Sequence, residues 1–157
     1  MRRMRVAAVC GAAVLATVGG VAPGAAAAGP PEAGLAYHGS ADMSAGRVDV
    51  RFTPHNHGPS AVPESTVRLR WSEPLADRQV LPEGCASAEE RVVTCRVGAL
   101  DAGGVGERIA LRVRLRGAPE EVSLEFDTVP SGGAADGARG TGQQRVLVLD
   151  TGDTYYF

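Results

Sequence analysis

Lysine is absent from this chain: all 16 basic residues are arginine. The G-x-x-x-x-G-K-S/T loop that cradles phosphates is thereby excluded, and no strand leading into G-x-G-x-x-G occurs. The arginines are scattered along alternating segments and not clustered, so the bias suggests a high-GC genome more than a function. Cysteine is scarce, with Cys10, Cys85 and Cys95 the only three. Long apolar stripes at helical spacing are missing, which argues against packed helices. The one long hydrophobic run stands near the N-terminus, and it decides how the rest is read.

That run, Val6 to Ala22, follows the basic start M-R-R-M-R and leads into P-G-A-A-A-A-G. A basic start, an apolar stretch of about 15 residues and a small-residue exit near Ala26 to Ala28 read as a cleaved secretory signal peptide. As a membrane span the run is short of the roughly 20 residues a bilayer requires, and glycine dilutes it. Residues 1–28 are therefore expected to be a leader, 29–34 a flexible lead and 35–157 one domain. Cys10, approached by A-A-V, does not fit a lipoprotein signal and goes with the leader. Loss of Arg2, Arg3 and Arg5 leaves 13 basic against 18 acidic residues, a net charge of minus five. A net-acidic surface offers no electrostatic footprint for nucleic acid or anionic lipid. No stable membrane span is expected after cleavage.

Export changes the reading of the cysteines, because thiols outside the cytosol meet oxidising conditions. A structural zinc site takes four ligands, and nothing near Cys85 and Cys95 supplies the others; a thioredoxin-type pair takes C-x-x-C spacing. A Cys85–Cys95 disulfide is expected instead. Closing that loop of 11 residues stabilises a fold by about 2.7 kcal/mol on the chain-entropy view.

Period-two patterns set the architecture. R-V-D-V-R-F alternates Val48, Val50 and Phe52 against Arg47, Asp49 and Arg51; T-V-R-L-R-W does so with Val67, Leu69 and Trp71. Ile109, Leu111, Val113 and Leu115 continue the pattern, as do Val122, Leu124 and Phe126. Less regular strands are expected at Leu35 to His38, Arg91 to Val97 and Arg145 to Leu149. One buried and one wet face per strand predicts an all-β antiparallel sandwich of about seven strands, with the arginines outward. H-N-H-G-P-S, L-P-E-G-C and L-D-A-G-G supply turn chemistry between strands. Pro130 to Gly142 reads as a long, Gly-rich, mobile loop.

Four of these stretches, in order, resemble the bacterial extracellular domain family catalogued as DUF-eleven. Asn56, Gly58, Pro59 and Ser60 match its N-x-G-P-S turn; Leu81, Pro82, Gly84 and Cys85 match its L-P-x-G turn with a nearby cysteine. Val93, Cys95, Val97, Gly98, Leu100 and Gly103 match its V-x-C-x-V-G-x-L-x-x-G segment, followed by the alternating strand. The resemblance spans roughly Arg47 to Leu115 and implies a single copy of an immunoglobulin-like β-sandwich, exposed on a bacterial surface or in the medium. The C-terminal part departs from the family pattern, with S-G-G-A-A-D-G-A-R-G where an Asn/Asp-Pro-rich turn is usual.

Several motifs carry a sharper chemistry that the sequence does not support. H-N-H at His55 to His57 lacks the separated residues of a nuclease metal frame. His55, His57 and His38 offer imidazoles to an adventitious metal, since alternate residues of an extended segment point the same way. The expectation is nonetheless a solvated turn without a metal. V-L-V-L-D-T-G lacks the second D-T-G that an aspartic-protease dyad uses, so Asp150 and Asp153 are expected to face solvent in a turn. Asp150, Thr151 and Asp153 give too few ligands for a dedicated calcium site. Ser40, Ser44, Ser60, Ser65 and Ser72 stand in no G-x-S-x-G elbow. Trp71 is expected in the core, and T-Y-Y-F as a last edge strand tucking in Tyr155 or Phe157. The competing reading of that tail is an exposed segment captured by strand addition.

The sequence thus predicts a secreted, non-enzymatic immunoglobulin-like module for cell-surface or extracellular interaction, without cofactor, metal or catalytic residues. Its partner is expected to be a protein or a cell-wall component, with the protein free in the medium or held at the wall. The alternative is a small secreted effector or enzyme inhibitor presenting Pro130 to Gly142 or His55 to Ser60 as a loop epitope.

Overall fold

Alternating segments become strands because β-branched and aliphatic residues at every second position give each segment one face that must leave water. The computed structural model describes residues 34–130 and 143–157, and every regular element within them is a strand. In chain order these are β1 (Leu35–Ser44), β2 (Arg47–Asn56), β3 (Ser65–Trp71), β4 (Cys85–Glu89), β5 (Val92–Val97), β6 (Ile109–Arg114), β7 (Glu121–Pro130), β8 (Gln144–Leu149) and β9 (Thr154–Tyr156). They pair antiparallel into a four-stranded sheet, β6-β2-β1-β9, and a five-stranded sheet, β4-β5-β3-β7-β8. After the β1–β2 hairpin the chain crosses to β3, returns at β6 beside β2, and crosses again to β7 beside β3. This alternation between two antiparallel sheets is an immunoglobulin-like sandwich. The expected leader at residues 1–28 and most of the loop Pro130 to Gly142 lie outside the described residues.

Between the sheets the core is built from the predicted inward positions. Val48, Val50 and Phe52 of β2 face Val67, Leu69 and Trp71 of β3, and all six are at most 1% exposed. An aromatic cluster joins the two layers: Phe126 of β7 lies 5.4 Å from Tyr37 and 5.2 Å from Phe52, centroid to centroid. Phe157 reaches the same ring at 5.2 Å. Each such buried side chain contributes about 1.5–3 kcal/mol of transfer free energy. The Tyr37 hydroxyl is satisfied by Thr128 Oγ1 at 2.6 Å.

Strand number and extent differ from the sequence expectation. There are nine described strands and not about seven. β1 runs on to Ser44 because Ala41 and Met43 continue the inward set of Leu35 and Tyr37. It turns into β2 through Ala45 and Gly46, both with positive φ (51° and 72°), as a two-residue hairpin turn requires. β4 has no counterpart among the expected strands, because its residues are exposed or half-buried and carry no alternation. It is held as an edge strand by pairing with β5.

On the outer face of the four-stranded sheet, Asp49 pairs with Arg112 at 2.7 Å and Asp42 with Arg51 at 3.8 Å. The arginines do lie outward. Exposed pairs of this kind contribute at most about 1 kcal/mol each.

Candidate functional site

At one end of the β1–β2 hairpin the antiparallel register places Ala36 opposite His55 and His38 opposite Thr53. Residues directly opposite share a face, so His38 and His55 are diagonal neighbours on the outer surface. His57 follows the end of β2, and its N–H donates to the Gly34 carbonyl at 2.8 Å, extending the hairpin ladder beyond the strand proper. The chain's three histidines, far apart or merely adjacent in sequence, thus meet at one spot.

Their rings are close. The centroids of His38 lie 4.8 Å from His55 and 5.5 Å from His57, both edge-on, and His55 stacks on His57 at 5.8 Å with 25° between planes. The Nε2 atoms of His38 and His57 are 3.2 Å apart, so one donates to the other. One nitrogen from each ring can be chosen so that all three lie within 4.8 Å of one another. Partial loss of hydration pulls His55 below the ordinary histidine pKa, and repulsion from His38 and His57 adds to it. That favours the neutral imidazole, the form that accepts a proton or binds a cation.

The backbone carrying these rings is fixed on both sides. Asn56, only 1% exposed, accepts from Gly58 N at 3.0 Å through Oδ1, an Asx turn. Its Nδ2 donates to the Ser60 and Asp101 carbonyls at 2.8 and 2.9 Å. On the opposite edge His55 forms an isolated antiparallel bridge with Val105, and Gly106 N donates to Pro54 O at 2.8 Å. Gly34 permits the approach, since a Cβ there would stand 2.9 Å from Gly58 N. The H-N-H-G-P-S stretch is therefore sheet through Asn56 with a pinned turn after it, and not a free solvated turn.

Two depressions flank the cluster. One, of about 410 Å³, is lined by His38, Ser40, Arg51, Thr53, Arg108 and Tyr156 on the outer sheet face. The other, of about 540 Å³, runs past Glu83, Arg96, Leu100, Val105, Glu107 and Arg108.

The remaining residues singled out in the sequence fall as follows. Cys85 and Cys95 form a disulfide across the β4–β5 pair, directly opposite in register. Asp150 accepts from Ala45 N at 2.9 Å and so braces the β1–β2 turn; Thr151 Oγ1 accepts from Asp153 N at 3.2 Å. Both aspartates are exposed. Trp71 is buried. Tyr155 and Phe157 pack against the core while Tyr156, 82% exposed, points out from β9. Of the serines, Ser40 and Ser44 lie on β1 and Ser60 in the turn, Ser65 is buried, and Ser72 Oγ accepts from Ser123 N at 3.0 Å. The sequence offers His38, His55 and His57 together only as three imidazoles; the β1–β2 register is what brings His38 to the other two.

Compared with known proteins, the chain matches no protein-family model and no curated protein.

Proposed function

We propose that this chain is an exported, non-enzymatic immunoglobulin-like module that binds a protein or cell-wall partner at a bacterial surface or in the medium. The observation that carries the reading is the Cys85–Cys95 disulfide. A cross-strand bridge on an edge strand persists outside the cytosol and is rare inside it. It agrees with the basic-then-apolar N-terminal pattern of a leader. The ordered motif likeness to extracellular DUF-eleven domains supports the same compartment and class.

The physical logic is that of a small domain that has to survive outside the cell. The bridge ties the exposed strand β4 to β5, whose Val93 and Cys95 are buried. Fraying at that edge, the usual start of proteolysis and edge-to-edge association, is thereby restrained.

The test is intact mass, with and without reductant, on protein recovered from the membrane, wall and medium fractions of its host. Loss of about 28 residues marks cleavage at a leader, and a gain of about two daltons on reduction marks the disulfide. A cleaved, wall-held species is the expected result. An uncleaved membrane species overturns the exported reading, and a species confined to the medium favours a soluble effector.

A further inference from the structure

We propose that His38, His55 and His57 form a binding site for a divalent late first-row transition ion, Zn²⁺ foremost, with three imidazole ligands and a fourth position open to solvent. All three histidines in the chain contribute. Two strands and a pinned turn bring them together, and other positions on this wet face carry arginine, serine, threonine, aspartate and alanine. Histidine is also the commonest protein ligand for such ions.

The distances fit. A tetrahedral ion with Zn–N bonds of about 2.0–2.1 Å sets its ligand nitrogens about 3.3 Å apart. His38 Nε2 and His57 Nε2 stand 3.2 Å apart, so an ion takes the place of the proton they share. One nitrogen taken from each of the three rings gives a set whose members all lie within 4.8 Å of one another. Side-chain rotation of the exposed His38 and His57 rings would close the set to bonding distance. The backbone need not move, since the Asn56 hydrogen bonds, the His57–Gly34 bond and the His55–Val105 bridge already fix it. A prearranged frame of this sort lowers the ordering cost of binding.

The donor set also selects the ion. Three imidazoles without a carboxylate suit Zn²⁺, Cu²⁺ or Ni²⁺ and disfavour Mg²⁺ and Ca²⁺, which take oxygen ligands. Arg51 and Arg108 line the depression beside His38, and Arg51 is also engaged by Asp42 at 3.8 Å. Their charge weakens cation binding somewhat while favouring an anionic donor, such as a carboxylate, at the open position.

The experiment uses untagged protein, since an oligohistidine tag would compete, stripped with chelator and titrated with Zn²⁺ alone by calorimetry. The expected result is one equivalent bound at about 10 μM or tighter. His38→Asn and His57→Gln are expected each to weaken it by at least the roughly 100-fold that loss of an outer-shell partner reaches. Both side chains are exposed, so the variants fold, and unfolding curves without metal check this directly. Co²⁺ added to the native chain gives an independent readout: intense visible bands of a four-coordinate nitrogen site are expected. Binding weaker than 10 μM, binding that survives both substitutions, or a weak six-coordinate Co²⁺ spectrum overturns the proposal and leaves the cluster as ring packing at a sheet corner.

Discussion

Replacing Asn56 by alanine tests how much the turn after β2 depends on one side chain. Asn56 makes three hydrogen bonds to backbone groups, accepting from Gly58 N and donating to the Ser60 and Asp101 carbonyls, and is 1% exposed. Alanine has nothing to offer any of them. The buried Gly58 N–H loses its partner at about 1–3 kcal/mol, and the two half-buried carbonyls lose about 0.5–1.5 kcal/mol each. The sum is about 2–6 kcal/mol, a large part of the roughly 5–15 kcal/mol that holds a domain of this size together. Asn56→Asp keeps the acceptor for Gly58 but turns a carboxylate toward two carbonyl oxygens, so it is expected to be no better than alanine. Urea unfolding followed by the fluorescence of Trp71, the single tryptophan, measures the loss as a shift in midpoint at constant slope. A loss for Asn56→Ala below about 1 kcal/mol, or an Asn56→Asp variant as stable as the native chain, refutes the claim that this side chain fixes the turn.

Other perturbations separate the remaining contributions. Burial pushes the Tyr37 hydroxyl up to about 12, against the pull of its Thr128 hydrogen bond and with some help from Asp127. With an unfolded value near 10, the stability gained by holding that proton is whole below pH 10 and is lost as pH rises from 10 to 12. The loss is about 3 kcal/mol, which Tyr37→Phe should remove from the alkaline limb of a stability-versus-pH curve. Reducing the Cys85–Cys95 bridge, or replacing both cysteines with alanine, should lower stability by about 2.7 kcal/mol in urea unfolding. Phe157→Ala should cost about 1–3 kcal/mol because the ring packs on Phe126. Tyr156→Ser, at an 82% exposed position, should stay within about 0.5 kcal/mol; a larger effect of Tyr156 than of Phe157 would reverse the assignment of the tail.

Much of the sandwich is legible from period-two alternation because one face of each central strand is shielded by the opposite sheet. Val48, Val50 and Phe52, or Val122, Leu124 and Phe126, announce themselves in this way, and all six are at most 1% exposed. β4 is silent for the converse reason. Only Cys85 of Cys85–Glu89 packs against the core, so the strand's conformation comes from hydrogen bonding to β5 and from the disulfide, neither of which leaves a hydrophobic period. The sequence expectation for β1 ends at His38, while the strand runs to Ser44. In the fold Gly39 sits opposite Phe52 within the ladder, and Ala41 is fully buried.

The histidine cluster marks a different limit. That His55 and His57 point the same way is a local consequence of extended backbone, visible in three letters of sequence. The arrival of His38 is not local, since it depends on the register that sets His38 opposite Thr53 and Ala36 opposite His55. A slip of one residue would send His38 to the core face and Tyr37 to solvent, which the buried Tyr37–Phe52–Phe126 contacts forbid. The packing that holds Tyr37 inside is therefore what holds His38 outside, beside the other two imidazoles. Core and cluster are specified by the same register.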